Sequence, residues 1–208
     1  MTPQRNVGIM LFEEIEVLDF AGPFEVFNVT AELNDPAPFN VYTVAETNAP
    51  VKTRGKLNIN PNYSIYSMPK TDILIIPGGA GSRALVHKPN VIAWLQEQAE
   101  QVELLASVCT GSIPLGKAGL LDGLSVTTHH ENLEELRGYV SDDTEIVAKR
   151  YVDNGKILTA GGISAGIDMS LYLVQKLLGD AVLAKTTKEM EYTWTPDLTS
   201  VWHDEALA

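Results

Sequence analysis

The stretch spanning residues 104–116, LLASVCTGSIPLG, constrains the fold more than any other part of the chain. Leu104 to Val108 is an apolar run of strand length, and residues 112–120 read as a helix. Only Cys109, Thr110 and Gly111 separate the two, so the chain must turn sharply from strand into helix. This is the layout of a nucleophile elbow, usually written G-x-S-x-G, which pushes its central side chain out of the sheet edge. Cys109 would then sit at a helix N-terminus, where partial positive charge and free N–H groups favour a thiolate over a thiol. The plainer alternative is a buried cysteine acting as a small hydrophobe. The flanking pattern favours the nucleophile.

The rest of the chain repeats the alternation of strand and helix. Residues 7–12 (VGIMLF) read as a strand buried on both faces of a parallel sheet. In the following EEIEVLDFAGPFEVFNVTAEL, Phe20, Phe24, Val26 and Phe27 fall at helical spacing, with Pro23 near the helix start. Asp35-Pro36-Ala37-Pro38 breaks the chain, and residues 39–44 alternate as a second strand. Residues 51–67 read as a small hairpin or excursion, residues 72–76 (DILII) as a buried strand ending in Pro77-Gly78-Gly79, and residues 90–100 as an amphipathic helix. After the elbow, residues 124–127 form a short strand and residues 131–138 a short helix. Strands at 145–151 and 156–160 follow, joined by a turn at Asp153-Asn154-Gly155. Gly161-Gly162 leads into a helix over 164–178, which Gly179 stops before another over 180–190.

This order predicts an α/β sandwich with a mostly parallel sheet. Sites in such sheets lie beyond the carboxyl ends of the strands, so Gly78-Gly79, Cys109-Thr110 and Gly161-Gly162 should converge on one edge. No repeat, linker or low-complexity stretch interrupts residues 1–208. One domain is expected, with its core over about residues 7–190 and a tail, 191–208, whose Trp194 and Trp202 need burial.

Composition narrows the function classes. A formal net charge of −12 argues against nucleic acid, which requires a concentrated basic surface. The one cation cluster, Lys52, Arg54 and Lys56, reads as the solvent side of a strand. A single cysteine excludes an internal disulfide framework. The N-terminal apolar core is too short for a signal peptide, and no run could span a bilayer, so a cytoplasmic protein without a membrane partner is expected. The four histidines, His87, His129, His130 and His203, lack ligand spacing, and neither a metal nor another cofactor is expected.

Other residues are candidates for chemistry. Asp19 lies among Val17, Leu18, Phe20 and Ala21 and is either a partly buried proton donor of raised pKa or the N-cap of its helix. Glu13, Glu14 and Glu16 read as a solvated loop face. The amides of Gly78 and Gly79 could point at developing negative charge, as in an oxyanion hole. Thr110 could supply a hydroxyl. His129 and His130 close a strand and should point to opposite sides; one could face the elbow as a base, but surface exposure is the expectation for either. The run GGISAG lacks the spacing of a dinucleotide fingerprint, and close helix–strand packing explains its glycines.

With LDFAGPFEVF, DILIIPGG, ASVCTGS, LLDGLSVTTH and ILTAGGISAGIDMSLYLV in hand, the chain resembles the ThiJ/PfpI superfamily, the class I glutamine-amidotransferase-like proteins. Within it, C-T-G-S followed by TTH and GGISAGID is similar to the isocyanide hydratases and to the sensor halves of AraC-type regulators. The resemblance implies a flavodoxin-like three-layer α/β/α sandwich, a homodimer, and a small-molecule substrate. It implies Cys109 as nucleophile, Asp19 as acid/base, Thr110 as assisting hydroxyl, Gly78 and Gly79 as charge stabilisers, His129 near the site, and Ile163 packed structurally beside the cysteine-bearing helix. The expected reaction is hydration of R–N≡C to an N-substituted formamide. Alternatives are a glyoxalase-type carbonyl enzyme or a non-catalytic redox or ligand sensor. The acidic charge, and the absence of a helix-turn-helix from these residues, count against a DNA-binding regulator. The peptidase branch carries histidine directly after its cysteine; Thr110 stands there instead, which argues against peptidase activity.

Overall fold

The computed structural model describes residues 3–195. The tail beyond Thr195, with Trp202 and His203, lies outside the described residues.

The chain runs β1 (Arg5–Leu11), α1 (Val17–Glu32), β2 (Phe39–Ala45), β3 (Val51–Lys52), β4 (Asn58–Ile59), β5 (Tyr63–Ser64) and β6 (Ile73–Ile76). It continues through α2 (Ser82–Leu85), α3 (Pro89–Gln101), β7 (Leu104–Val108), α4 (Ser112–Lys117), β8 (Ser125–Val126) and α5 (Leu133–Arg137). The remaining elements are β9 (Glu145–Ile146), β10 (Tyr151–Asp153), β11 (Ile157–Ala160), α6 (Ala165–Leu178) and α7 (Asp180–Glu189).

Seven strands form the main sheet in the order β10-β11-β7-β6-β1-β2-β5. All neighbours are parallel except β10, which turns back on β11 through the expected hairpin. β6 and β7 are buried throughout, as strands covered on both faces must be. Helices α1, α6 and α7 pack together, and α2, α3 and α5 each pack on α4, so the sheet is flanked by two helical layers. Close packing of α6 on the sheet rests on Gly166, where a Cβ would stand 3.0 Å from the Val108 methyls. Phe27 of α1 meets Phe39 of β2 edge-on, centroids 5.0 Å apart, within the core.

The chain leaves β1 towards β2 on one side and returns with β6 on the other. The sheet therefore reverses winding between β1 and β6, and this is where α/β sheets open a crevice for ligands.

Several local expectations are corrected. Pro23 lies six residues inside α1, not near its start, because the helix begins at Val17. The helix predicted over 112–120 ends at Lys117. The strand predicted over 145–151 is two strands in different sheets: β9 pairs only with β8, and β10 joins the main sheet. Between them the carbonyls of Lys149 and Arg150 accept from the Thr127 hydroxyl and the Gly161 amide, which removes them from a continuous ladder. His129 and His130 do not diverge from a strand end. The strand stops at Val126, His129 Nδ1 accepts the Glu131 amide at 3.3 Å, and the two rings stand 4.5 Å apart. Trp194 is half-buried against the core.

Candidate active site

Four adjacent strands, β11, β7, β6 and β1, deliver one short segment each to the same edge. β7 ends at Val108, and the backbone turns through Cys109 to Gly111 as a single 3-10 turn before α4. Cys109 has φ +56°, a left-handed conformation uncommon for a residue with a Cβ, held here by its surroundings. Its amide donates to the Gly161 carbonyl at 2.9 Å, and its carbonyl accepts the Thr128 hydroxyl at 2.9 Å. Gly78 must be glycine: a Cβ there would stand 2.6 Å from the Thr110 nitrogen and 2.9 Å from Asp19 Oδ2.

Asp19 is fully buried in the first turn of α1. Glu16 occupies the N-cap position, so the capping reading of Asp19 gives way. The helix start is drawn to the site by backbone pairing, with the Glu16 amide donating to the Gly78 carbonyl at 2.9 Å. Asp19 Oδ2 accepts the Gly78 amide at 3.0 Å, while Oδ1 is buried without a hydrogen-bond partner of ordinary geometry. Burial lifts its carboxyl to about 7, with the Glu16 charge adding and the Gly78 bond and the Cys109 side chain opposing. Burial also pushes the Cys109 thiol up to about 12, and the Asp19 negative charge adds to that. The Thr110 and Ile163 amides and the Thr110 hydroxyl oppose the rise. Burial and the neighbouring carboxylate thus oppose the thiolate that a helix start favours, while the backbone donors at the sulfur support it.

The glycine amides are also committed elsewhere. The Gly79 N–H donates to Thr110 Oγ1 at 3.0 Å, as Gly78 does to Asp19, so neither faces an incoming oxyanion. Thr110 Oγ1 also meets Ser82 Oγ at 3.0 Å and the Gly79 carbonyl at 3.1 Å. The backbone donors at the sulfur are Thr110 and Ile163 instead. Ile163 is not a packed structural residue but 39% exposed, in left-handed backbone at φ +49°.

Cys109, Thr110, Gly79 and Ile163 line an open cavity of about 330 Å³, together with His129. Burial, then the neighbouring His130, lowers the His129 pKa and favours the neutral ring. Sequence reasoning missed most of the remaining wall: Glu16, Arg54, Arg83, Glu131 and Asn132. Arg54 pairs with Glu16 at 3.1 Å, and Arg83 is gripped at two nitrogens by Glu135. These residues come from loops and short helices whose contacts leave no periodic signal in the sequence. Among the described residues no cluster of histidine, cysteine, aspartate and glutamate could hold a metal ion, and no helix is long and apolar enough to cross a membrane.

A mostly parallel sheet flanked by helices, with a cysteine on a left-handed strand-to-helix turn one strand from the winding reversal, defines the class of α/β sandwiches built around a cysteine elbow. The chain belongs to the DJ-1/PfpI family, whose model matches residues 5–176. It is 34% identical over 97% of its length to an isonitrile hydratase of Pseudomonas putida, of which it covers 84%. It is 28% identical to the HTH-type transcriptional regulator GbdR of Pseudomonas aeruginosa, covering 90% of this chain and only about half, 51%, of the regulator. Among solved structures, a ThiJ/PfpI family protein from Pseudomonas syringae superposes with a TM-score of 0.84 at 25% identity, over 94% of this chain and 78% of the other. Drosophila melanogaster DJ-1beta superposes at 0.79 with 20% identity, over 92% of this chain and all of the other, a likeness of fold.

Proposed function

We propose that this protein is a cysteine-dependent hydratase of small isocyanides. The observation that carries the reading is Cys109 on the wall of an open cavity with the buried Asp19 carboxyl beside it, in a chain 34% identical to an isonitrile hydratase. A carboxyl that titrates near 7 can both accept and return a proton at neutral pH. Asp19 takes the thiol proton as sulfur bonds to the terminal carbon of R–N≡C, and passes it to that carbon, leaving the thioimidate Cys–S–CH=N–R. Water then adds to the same carbon. One of its protons goes to nitrogen, the other returns to sulfur as the C–S bond breaks, and HC(=O)–NH–R leaves. The sum is one isocyanide and one water to one formamide, with Cys109 and Asp19 restored. Thr110 and Ile163, whose amides face the sulfur, stabilise its charge between steps.

The test is formamide production from an alkyl or aryl isocyanide. Turnover in the wild type and none in Cys109→Ala is expected; no turnover at high enzyme concentration, or full activity in the variant, refutes it. The similarity to a transcriptional regulator favours a second reading, a ligand-sensing domain, which predicts saturable binding without turnover.

A further inference from the structure

Arg150 does not line the cavity, yet it grips both ends of the turn that faces the cysteine. Its carbonyl accepts the Gly161 amide at 2.9 Å, and the Gly161 carbonyl in turn accepts the Cys109 amide at 2.9 Å. Its Nη2 donates to Ser164 Oγ at 2.9 Å, and its Nε donates to Asp168 Oδ2 at 2.7 Å. Ser164 is the N-cap of α6 but makes no capping bond to its own helix; its hydroxyl serves Arg150 instead. Between these two anchors stands Ile163 at φ +49°, a conformation that a β-branched residue keeps only where its surroundings impose it. The Ile163 amide is one of the two backbone donors at the Cys109 sulfur.

Arg150 is itself held. The Asp168 side chain is 3% exposed and that of Arg150 17%, and Tyr192, beyond α7, donates its hydroxyl to Asp168 Oδ1 at 2.9 Å. A buried ion pair contributes little net stability, because desolvation offsets most of the attraction, so a pair this well bonded calls for another use. Its geometry supplies one.

We propose that Arg150 is a positioning residue, whose guanidinium holds Ser164 while the backbone carbonyl at its position holds Gly161, so that the strained Ile163 amide stays aimed at the Cys109 sulfur, and which Asp168 and Tyr192 hold in turn. The inference rests on the reactivity of Cys109 and not on the identity of the substrate. Loss of the grip lets the turn relax from its left-handed state, and the sulfur loses a donor to its anionic form.

The chain has one cysteine, so the rate of alkylation by iodoacetamide at fixed pH reads the thiolate of Cys109 alone. Arg150→Gln is expected to slow alkylation about tenfold, the order of one lost donor to a charged group. Arg150→Lys, which keeps the charge, should recover part of the rate. Ser164→Ala and Tyr192→Phe leave the ion pair in place and should each slow it about threefold, and these two decide the matter if Arg150→Gln does not fold. An unchanged rate in folded variants overturns the proposal. So does a faster one, the sign of a turn that is merely loosened and uncovers the sulfur. Formamide assays run alongside separate the two ideas: a wild type without turnover sinks the hydratase reading and leaves the alkylation result intact.

Discussion

Asp19 shows what burial does to a single carboxyl. Its native pKa of about 7 stands above the ordinary 3.8, so between those values the folded protein binds more protons than the unfolded chain. Stability is then greatest below that window and falls as pH rises through it, by on the order of 4 kcal/mol. Asp19→Asn keeps the side-chain shape and removes the titration. Denaturant unfolding from about pH 4 to about pH 8 should show the wild type losing stability relative to this variant as pH rises; parallel curves would refute it. The same substitution should lower formamide turnover by roughly 10²- to 10⁴-fold, the range for loss of a positioned general acid–base. The turn that carries Cys109 was legible from the strand–turn–helix break, whereas the apolar neighbours of Asp19 left it open between a buried carboxyl and a helix N-cap, which its burial in the first turn of α1 decides. The upward pull of burial on the thiol was not legible, because desolvation is a property of packing. Nor was the fate of the glycine amides, since Gly78 is claimed by a carboxylate 59 residues earlier in the chain.

At the scale of elements, the site depends on how closely β6 and β7 deliver their turns. Gly78→Ala would drive a methyl against the Thr110 nitrogen and the Asp19 carboxylate. It should cost about 1–3 kcal/mol by overpacking, and activity should fall by more than that loss of folded protein accounts for. A variant with wild-type turnover would show that the approach is not needed. Helix α1 illustrates the limit of local signals. Proline is common at a helix start, which placed Pro23 there, but backbone pairing of the Ile15–Glu16 segment with Gly78-Gly79 starts the helix six residues earlier. Pro23 consequently cannot donate to the carbonyl of Asp19, four residues before it.

For the whole molecule, alternation of apolar runs and helical stretches made the α/β architecture and the edge bearing the site readable. Strand order was not, because β6 returning beside β1 rather than beside β2 is a matter of long-range pairing. The same holds for β8 and β9, which read as strands but pair apart from the main sheet. Folding energy lies in the buried layers between that sheet and its helices. Phe27→Ala, which empties the fully buried contact with Phe39, should destabilise by roughly 3–5 kcal/mol in denaturant titration while leaving the site chemistry of the folded fraction unchanged. A loss under about 1 kcal/mol would place the core elsewhere.

The ends of the sheet carry a separate consequence. Its outermost strands are β5, with two residues, and β10, with three and running against the rest. A long, flat, unpaired edge is a template on which another chain can add itself, and short terminal strands deny it that template. The apolar runs of β1, β6 and β7, which would aggregate if exposed, are confined to the interior of the sheet between those blunt margins.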